Sequence, residues 1–143
     1  MVKAMTFAVL AALGLSACND DSPNMTDAST AYLEMVGKWV DKDQGTQCPV
    51  TLSLYSNARF ESHSLDEEVS GYVEAYWYTG DHERVSLRLH VEKDNMGANC
   101  QGLSEDDEGA TWSWSVKQID RDNLGFYRNV NDTEAQFVMK REI

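Results

Sequence analysis

The chain has 143 residues, a length typical of one domain, and a formal net charge of −12 at pH 7. Such an acidic chain repels nucleic acid and anionic lipid head groups, so we expect neither as a partner, whereas cations and cationic proteins are attracted. Apart from a short apolar run at the amino terminus, no run approaches the roughly 20 apolar residues that span a bilayer.

The first predicted element is a secretory signal peptide. Lys3 precedes an apolar run over residues 4–15, and small residues follow that run. The sequence Leu15-Ser16-Ala17-Cys18 resembles a bacterial lipobox. The resemblance implies removal of residues 1–17, acylation of Cys18 with chains such as palmitate, and permanent attachment to a bilayer. It places the domain in the bacterial cell envelope, facing the periplasm, with the inner and the outer membrane both open as anchoring sites.

A tether and a short helix are predicted next. Residues 18–29 are polar, acidic and interrupted by Pro23, a composition typical of a flexible linker. Ser29 or Thr30 is expected to cap a short helix that ends at Gly37. The folded domain is therefore predicted over residues 30–143.

Eight short strands follow the helix, each with apolar and polar residues in alternation and with turn residues between them. They are predicted at 38–40, 50–55, 59–64, 71–79, 85–92, 112–117, 124–130 and 134–141. Consecutive antiparallel strands usually pair with their neighbours, so the expected fold class is all-β. We predict an eight-stranded antiparallel up-and-down meander that closes into a barrel, with an open meander or a sandwich as the alternative.

The tripeptide Gly37-Lys38-Trp39, between the helix and the meander, resembles the start of lipocalin-like barrels. In that family the tryptophan packs at the barrel base against a basic residue near the end of the last strand. The resemblance implies this position for Trp39, with Lys140 or Arg141 as the basic residue.

The three cysteines divide into one anchor and one pair. With Cys18 assigned to the lipid, Cys48 and Cys100 remain as an even pair in an oxidising compartment. Alternate loops of a meander lie at the same end, and these two residues fall in two such loops. We therefore predict a disulfide between them, with two free thiols as the alternative.

Acidic residues gather in the loops at the same end of the predicted barrel. We predict a partner-binding acidic face there, and ordinary solvated loops are the alternative. The face comprises Asp66, Glu67, Glu68, Glu105, Asp106, Asp107 and Glu108.

Aromatic residues recur at period two in the fourth and sixth predicted strands. Tyr72 and Tyr76 share one face of the fourth strand, and Trp112 and Trp114 share one face of the sixth. A small eight-stranded barrel is just wide enough for side chains to fill it, so core or wall packing is one reading of these stripes. Ligand contact is the other.

The motifs of the common enzyme classes are missing from the sequence. There is no glycine-rich phosphate loop, nucleophile elbow or paired-cysteine motif, and the acidic run at 105–108 lacks the alternate-position spacing of a calcium loop. The three histidines occupy polar-facing strand positions or a turn. We therefore predict no enzyme, no catalytic residue, no cofactor and no metal site.

Three functions fit these features. The predicted function is a non-enzymatic, lipid-anchored periplasmic protein that holds a small apolar or peptide ligand at the acidic barrel mouth. The first alternative is an inhibitor or immunity protein that blocks a cationic envelope hydrolase or toxin. The segment from Ser70-Gly71-Tyr72 to Gly80-Asp81 resembles, at a different spacing, periplasmic lysozyme-inhibitor lipoproteins. The second alternative is a structural accessory of an envelope assembly.

Overall fold

The structure, a computed structural model, describes residues 25–41, 48–78 and 81–142. The predicted signal peptide, Cys18 and residues 18–24 of the predicted tether lie outside the described residues. Among the helices that the described residues form, none has the length and apolar character required to cross a membrane.

The described chain forms one short helix, α1 (Ser29–Glu34), and nine strands. The strands are β1 (Met25–Asp27), β2 (Gly37–Asp41), β3 (Val50–Leu54), β4 (Arg59–Ser64), β5 (Glu67–Tyr78), β6 (Asp81–Asp94), β7 (Thr111–Asp120), β8 (Asn123–Tyr127) and β9 (Phe137–Arg141). Strands β2 to β9 pair with their neighbours in antiparallel fashion, and pairing of β2 with β9 completes the ring. The predicted eight-stranded up-and-down barrel is confirmed.

Strand β1 is an addition to the predicted meander, because residues 25–27 fall within the segment expected to be a tether. The strand pairs with residues 76–78 of β5. The partner of β5 on that side, β4, ends its pairing opposite Tyr72, so the far half of β5 would otherwise present an open edge. Strand β1 and a hydrogen bond from the Ala28 amide to the Ala75 carbonyl cover that edge.

The helix start also differs from the expectation. Ala28 occupies the cap position and makes no side-chain capping bond. The Asp27 carboxylate instead accepts hydrogen bonds from the Ser29 amide at 2.9 Å and from its hydroxyl at 2.6 Å. The predicted capping by Ser29 or Thr30 is therefore wrong, and an acidic residue two positions before Ser29 holds the turn.

The barrel core is built from the inward members of the alternating strands. In β6, Val85, Leu87, Leu89 and Val91 are all buried, with at most 3 % of their surface exposed. Burial of each such side chain contributes roughly 1.5–3 kcal/mol. The barrel has two ends: we call the end where β2 finishes and β7 begins the mouth, and the end beside α1 the base.

The base is closed by Trp39, which is fully buried. Its indole Nε1 donates a hydrogen bond of 2.8 Å to the Met35 carbonyl. The Arg141 guanidinium lies 4.4 Å from the centre of the indole ring and donates to the carbonyls of Val36 and Glu34, at 2.9 and 3.1 Å. Of the two basic residues expected near Trp39, Arg141 is the one that lies against its ring, and it also satisfies carbonyls at the end of α1.

Gly37 makes this arrangement possible. Its φ of +145° is one that residues with a side chain rarely adopt, and a Cβ there would lie 2.6 Å from the Arg141 guanidinium. The glycine of the tripeptide thus leaves room for Arg141 to reach the helix end.

Tyr32 links α1 to the barrel wall and gives a prediction for alkaline pH. Its hydroxyl donates to the Tyr55 carbonyl at 2.6 Å, and burial raises the pKa of Tyr32 to about 12 from an ordinary 10.0. Between these values the folded protein keeps a proton that the unfolded chain loses, so the free energy of unfolding falls as the pH rises. At neutral pH, Tyr32→Phe should cost about 0.5–1.5 kcal/mol for the lost hydrogen bond.

Urea unfolding of the wild type and Tyr32→Phe at neutral pH and near pH 11 tests this. The deficit of the variant should shrink or reverse at the higher pH. Tyr72→Phe, on the outer wall, is the control and should change little at either pH. An equal deficit of Tyr32→Phe at both values would contradict the pKa assigned to Tyr32.

Candidate functional site

The mouth contains a cavity of about 250 Å³ that opens to solvent. Strand ends contribute most of its wall, and the loop between β6 and β7, residues 95–110, contributes Gln101. The apolar wall includes Leu52, Leu89, Trp112, Trp114, Phe126 and Phe137, and the polar contributors are Asp41, Ser62 and Gln101. An apolar pocket with a few polar groups is the usual form of a small-molecule site.

The aromatic rings of the cavity support one another. Trp114 meets Phe137 edge-on at 5.0 Å and Phe126 edge-on at 6.2 Å, while the two phenylalanine rings are stacked 4.8 Å apart. The phenylalanines are directly opposite each other in the β8–β9 pairing. Because such aromatic pairs favour defined geometries, the three rings hold one another in place along the cavity wall.

Trp112 and Trp114, two of the predicted ligand-contact residues, face the barrel interior and line this cavity. Both are half-buried. Phe126 and Phe137 also line the cavity and were not among the predicted site residues. Their signal was present, since Phe126 continues the inward alternation of Leu124 in β8.

The structure does not bring Tyr72 and Tyr76 to the cavity. Inward positions of β5 are odd-numbered, so both tyrosines lie on the outer wall. Tyr72 stacks on the His90 ring at 4.5 Å, and the Tyr76 hydroxyl donates to Glu74 at 3.0 Å. These tyrosines and the two tryptophans are therefore on opposite faces of the barrel wall.

His90 is the centre of a polar cluster on the outer wall that was not predicted from the sequence. Its Nε2 lies 2.6 Å from a carboxylate oxygen of Glu74, and its Nδ1 lies 3.0 Å from the Thr111 hydroxyl. The hydrogen bond to His90 lowers the pKa of Glu74. The cluster connects β5, β6 and β7, so His90 is a wall residue held by two partners and not a freely solvated one.

Cys48 and Cys100 form the predicted disulfide, with their Cα atoms 5.9 Å apart. The Cys100 amide also donates to the Ser64 hydroxyl at 3.0 Å. Loop 95–110 is thereby fixed to the segment before β3 and to the end of β4. Both attachments lie at the mouth, beside the cavity.

The predicted acidic face divides into exposed and covered residues. Its exposed members are Asp66, Glu68, Glu105, Asp106 and Glu108, whereas Asp107 is half-buried. Glu67 is buried with 9 % of its surface exposed, because it is the first inward residue of β5 and not a loop residue. It therefore lies beneath the face.

Burial and neighbouring carboxylates raise the pKa values of two of these acids, Glu67 and Asp107. Desolvation, followed by the charge of Asp94, raises the pKa of Glu67. The same two causes raise the pKa of Asp107. Glu67, Asp94 and Asp107 place carboxylate oxygens within 4.8 Å of one another at the rim of the mouth. The sequence gives no sign of this cluster, because its members come from three separate segments.

A scan against protein-family models, a search of curated proteins and a search of solved structures each returned no significant match.

Proposed function

We propose that this chain is a non-enzymatic binding protein that holds a small apolar ligand in the mouth of its barrel. The observation that carries the proposal is the aromatic cavity of about 250 Å³ around Trp112, Trp114, Phe126 and Phe137. In a small eight-stranded barrel, space of this kind at an open end is suited to one small ligand.

The polar groups of the cavity are few and lie among its apolar walls. Asp41 is 3 % exposed, and Ser62 is half-buried. Such groups orient a ligand, while the rings supply most of the contact area. An uncharged or cationic apolar molecule suits this mouth better than an anion, because the surrounding rim carries exposed carboxylates.

We also propose that an acylated Cys18 attaches the domain to the bacterial envelope. The lipobox-like sequence before that residue supports it. An anchored domain would bind its ligand on the periplasmic side of a membrane.

Binding of N-phenyl-1-naphthylamine, an uncharged apolar fluorophore, tests the cavity. We expect its fluorescence to rise on binding, with a Kd on the order of 10 µM for a ligand of this size. Ser62→Phe places a ring inside the cavity and should weaken binding at least about tenfold. Trp114→Ala removes one wall and should also weaken it.

Ser113→Phe is the matched control, because Ser113 is exposed and lies between the two inward tryptophans of β7. It adds the same ring on the outer face, so it should bind the fluorophore as the wild type does. Equal binding by Ser62→Phe and Ser113→Phe, with both folded by circular dichroism, would contradict the proposal.

A further inference from the structure

Asp41 places a buried carboxylate on the wall of the aromatic cavity. It ends β2 at the mouth, two positions after the buried Trp39, so strand alternation puts both side chains on the inward face. Only 3 % of its surface is exposed. Of the residues that the structure describes along the cavity wall, Asp41 alone is ionisable. The cavity therefore combines an apolar wall with one acidic group.

The environment of Asp41 determines which ligand it favours. An ionised carboxylate beside apolar walls is costly unless hydrogen bonds or a positive charge compensate it. Asp41 takes part in interactions within the protein. A carboxylate has about four acceptor positions, so these interactions are compatible with a further one to a ligand. A cation in the cavity would gain from this group, whereas an anion would be repelled by it.

The aromatic rings of the wall favour the same charge. Trp114 is nearly perpendicular to Phe126 and Phe137, at interplanar angles of 85° and 82°. Trp112 lines the same cavity. The face of an aromatic ring is negative and attracts cations, most strongly for tryptophan. Rings at right angles to one another can contact a compact cation from more than one side.

We propose that the cavity binds a small organic cation, an amine or quaternary ammonium group with an apolar body. Asp41 compensates the charge, and Trp112 and Trp114 contact the cationic group. This inference rests on the proposed binding function and specifies the class of ligand. The volume of about 250 Å³ is below the roughly 300–1,000 Å³ of sites for drug-sized molecules, so the ligand is small. Exposed carboxylates at the rim would raise the local concentration of cations.

Displacement of N-phenyl-1-naphthylamine by two ligands of the same shape tests the ligand class. Phenyltrimethylammonium has a positively charged nitrogen where tert-butylbenzene has a carbon. Both should displace the fluorophore from the wild type, and the cation should bind at least as tightly as the hydrocarbon, although it loses more hydration. Asp41→Asn should weaken binding of the cation about tenfold and leave that of tert-butylbenzene within about twofold.

Glu34→Gln is the matched control, because it removes one negative charge from an exposed position at the base. It should change the affinity for neither ligand. Retained binding of tert-butylbenzene also shows that Asp41→Asn keeps its cavity. Equal changes for the two ligands in Asp41→Asn, or no change for either, would overturn the inference.

The wild type alone provides a second test. When NaCl is raised from about 0.1 M to about 1 M, the affinity for phenyltrimethylammonium should fall less than about threefold, because buried charges are screened little. A larger loss would place the attraction at the exposed rim and overturn the role of Asp41. Binding of the fluorophore without displacement by the cation would overturn this inference and leave the proposed function in place. Absence of fluorophore binding would contradict both.

Discussion

Trp39→Ala should lower the free energy of unfolding by about 4 kcal/mol, within the range for removal of a large buried aromatic side chain. The indole is fully buried at the base, so alanine leaves a cavity there. The change also removes the hydrogen bond to the Met35 carbonyl and the ring on which the Arg141 guanidinium lies. The base would then lose its packing and its polar contacts together.

Trp39→Phe separates these contributions. It keeps much of the apolar volume but removes the indole N–H, so we expect a smaller loss of about 1–3 kcal/mol. Urea unfolding followed by far-ultraviolet circular dichroism measures both variants. Trp112→Phe, at a half-buried position near the mouth, is the comparison and should cost less than Trp39→Phe. A loss below about 1 kcal/mol for Trp39→Ala would contradict the role of Trp39 in closing the base.

Removal of the disulfide should have the second large effect. Cys48 and Cys100 are separated by 52 positions in the sequence, and a cross-link over such a loop restricts the unfolded chain by about 4 kcal/mol. Cys48→Ser combined with Cys100→Ser should lower the free energy of unfolding by an amount near this value. Loop 95–110 should also loosen, since the bond fixes it at the mouth.

Chemical reduction of the disulfide provides the control. Adding a reductant to the wild type should lower its stability to that of the double variant, while adding it to the double variant should leave the stability unchanged. The urea midpoint measures both comparisons. If reduction left the wild-type midpoint unchanged, the disulfide would contribute nothing to stability, contrary to the expectation from loop closure.

The barrel could be predicted from the sequence because its strands carry a local signal. Clean alternation in β6 and regular turns between short strands determine an antiparallel meander, and closure removes the edges that an open sheet would expose. Strand β1 could not be predicted in this way. Its three residues carry no alternation of their own, and they form a strand because β5 extends past β4.

The inward face of a strand could be predicted from the sequence for β7 but not for β5. In β7 the tryptophans alternate with serines, so their inward direction follows from their size and apolar character. In β5 the outward face carries Tyr72 and Tyr76, while the inward face carries the smaller Val69 and Val73. A preference for large aromatic residues at inward positions therefore selects the wrong face around Tyr72, where the inward neighbours are Gly71 and Val73.

The rim cluster depends on contacts between distant segments. Glu67 and Asp107 are 40 positions apart, and only the pairing of β5 with β6 and the return of loop 95–110 bring them together. In the sequence, Glu67 belongs to an acidic run, and such runs are usually solvated. Its burial follows from the start of β5 at this residue, which puts its side chain on the inward face.

The four tryptophans of the chain provide the most direct test of the binding cavity. Trp112 and Trp114 line the cavity, whereas Trp39 closes the base and Trp77 lies on the wall near the base. In a ¹H–¹⁵N spectrum, each indole N–H gives its own signal. Titration with N-phenyl-1-naphthylamine should shift the signals of Trp112 and Trp114 and leave those of Trp39 and Trp77 in place. Shifts confined to Trp39 or Trp77, or equal for all four, would contradict a ligand site at the mouth of the barrel.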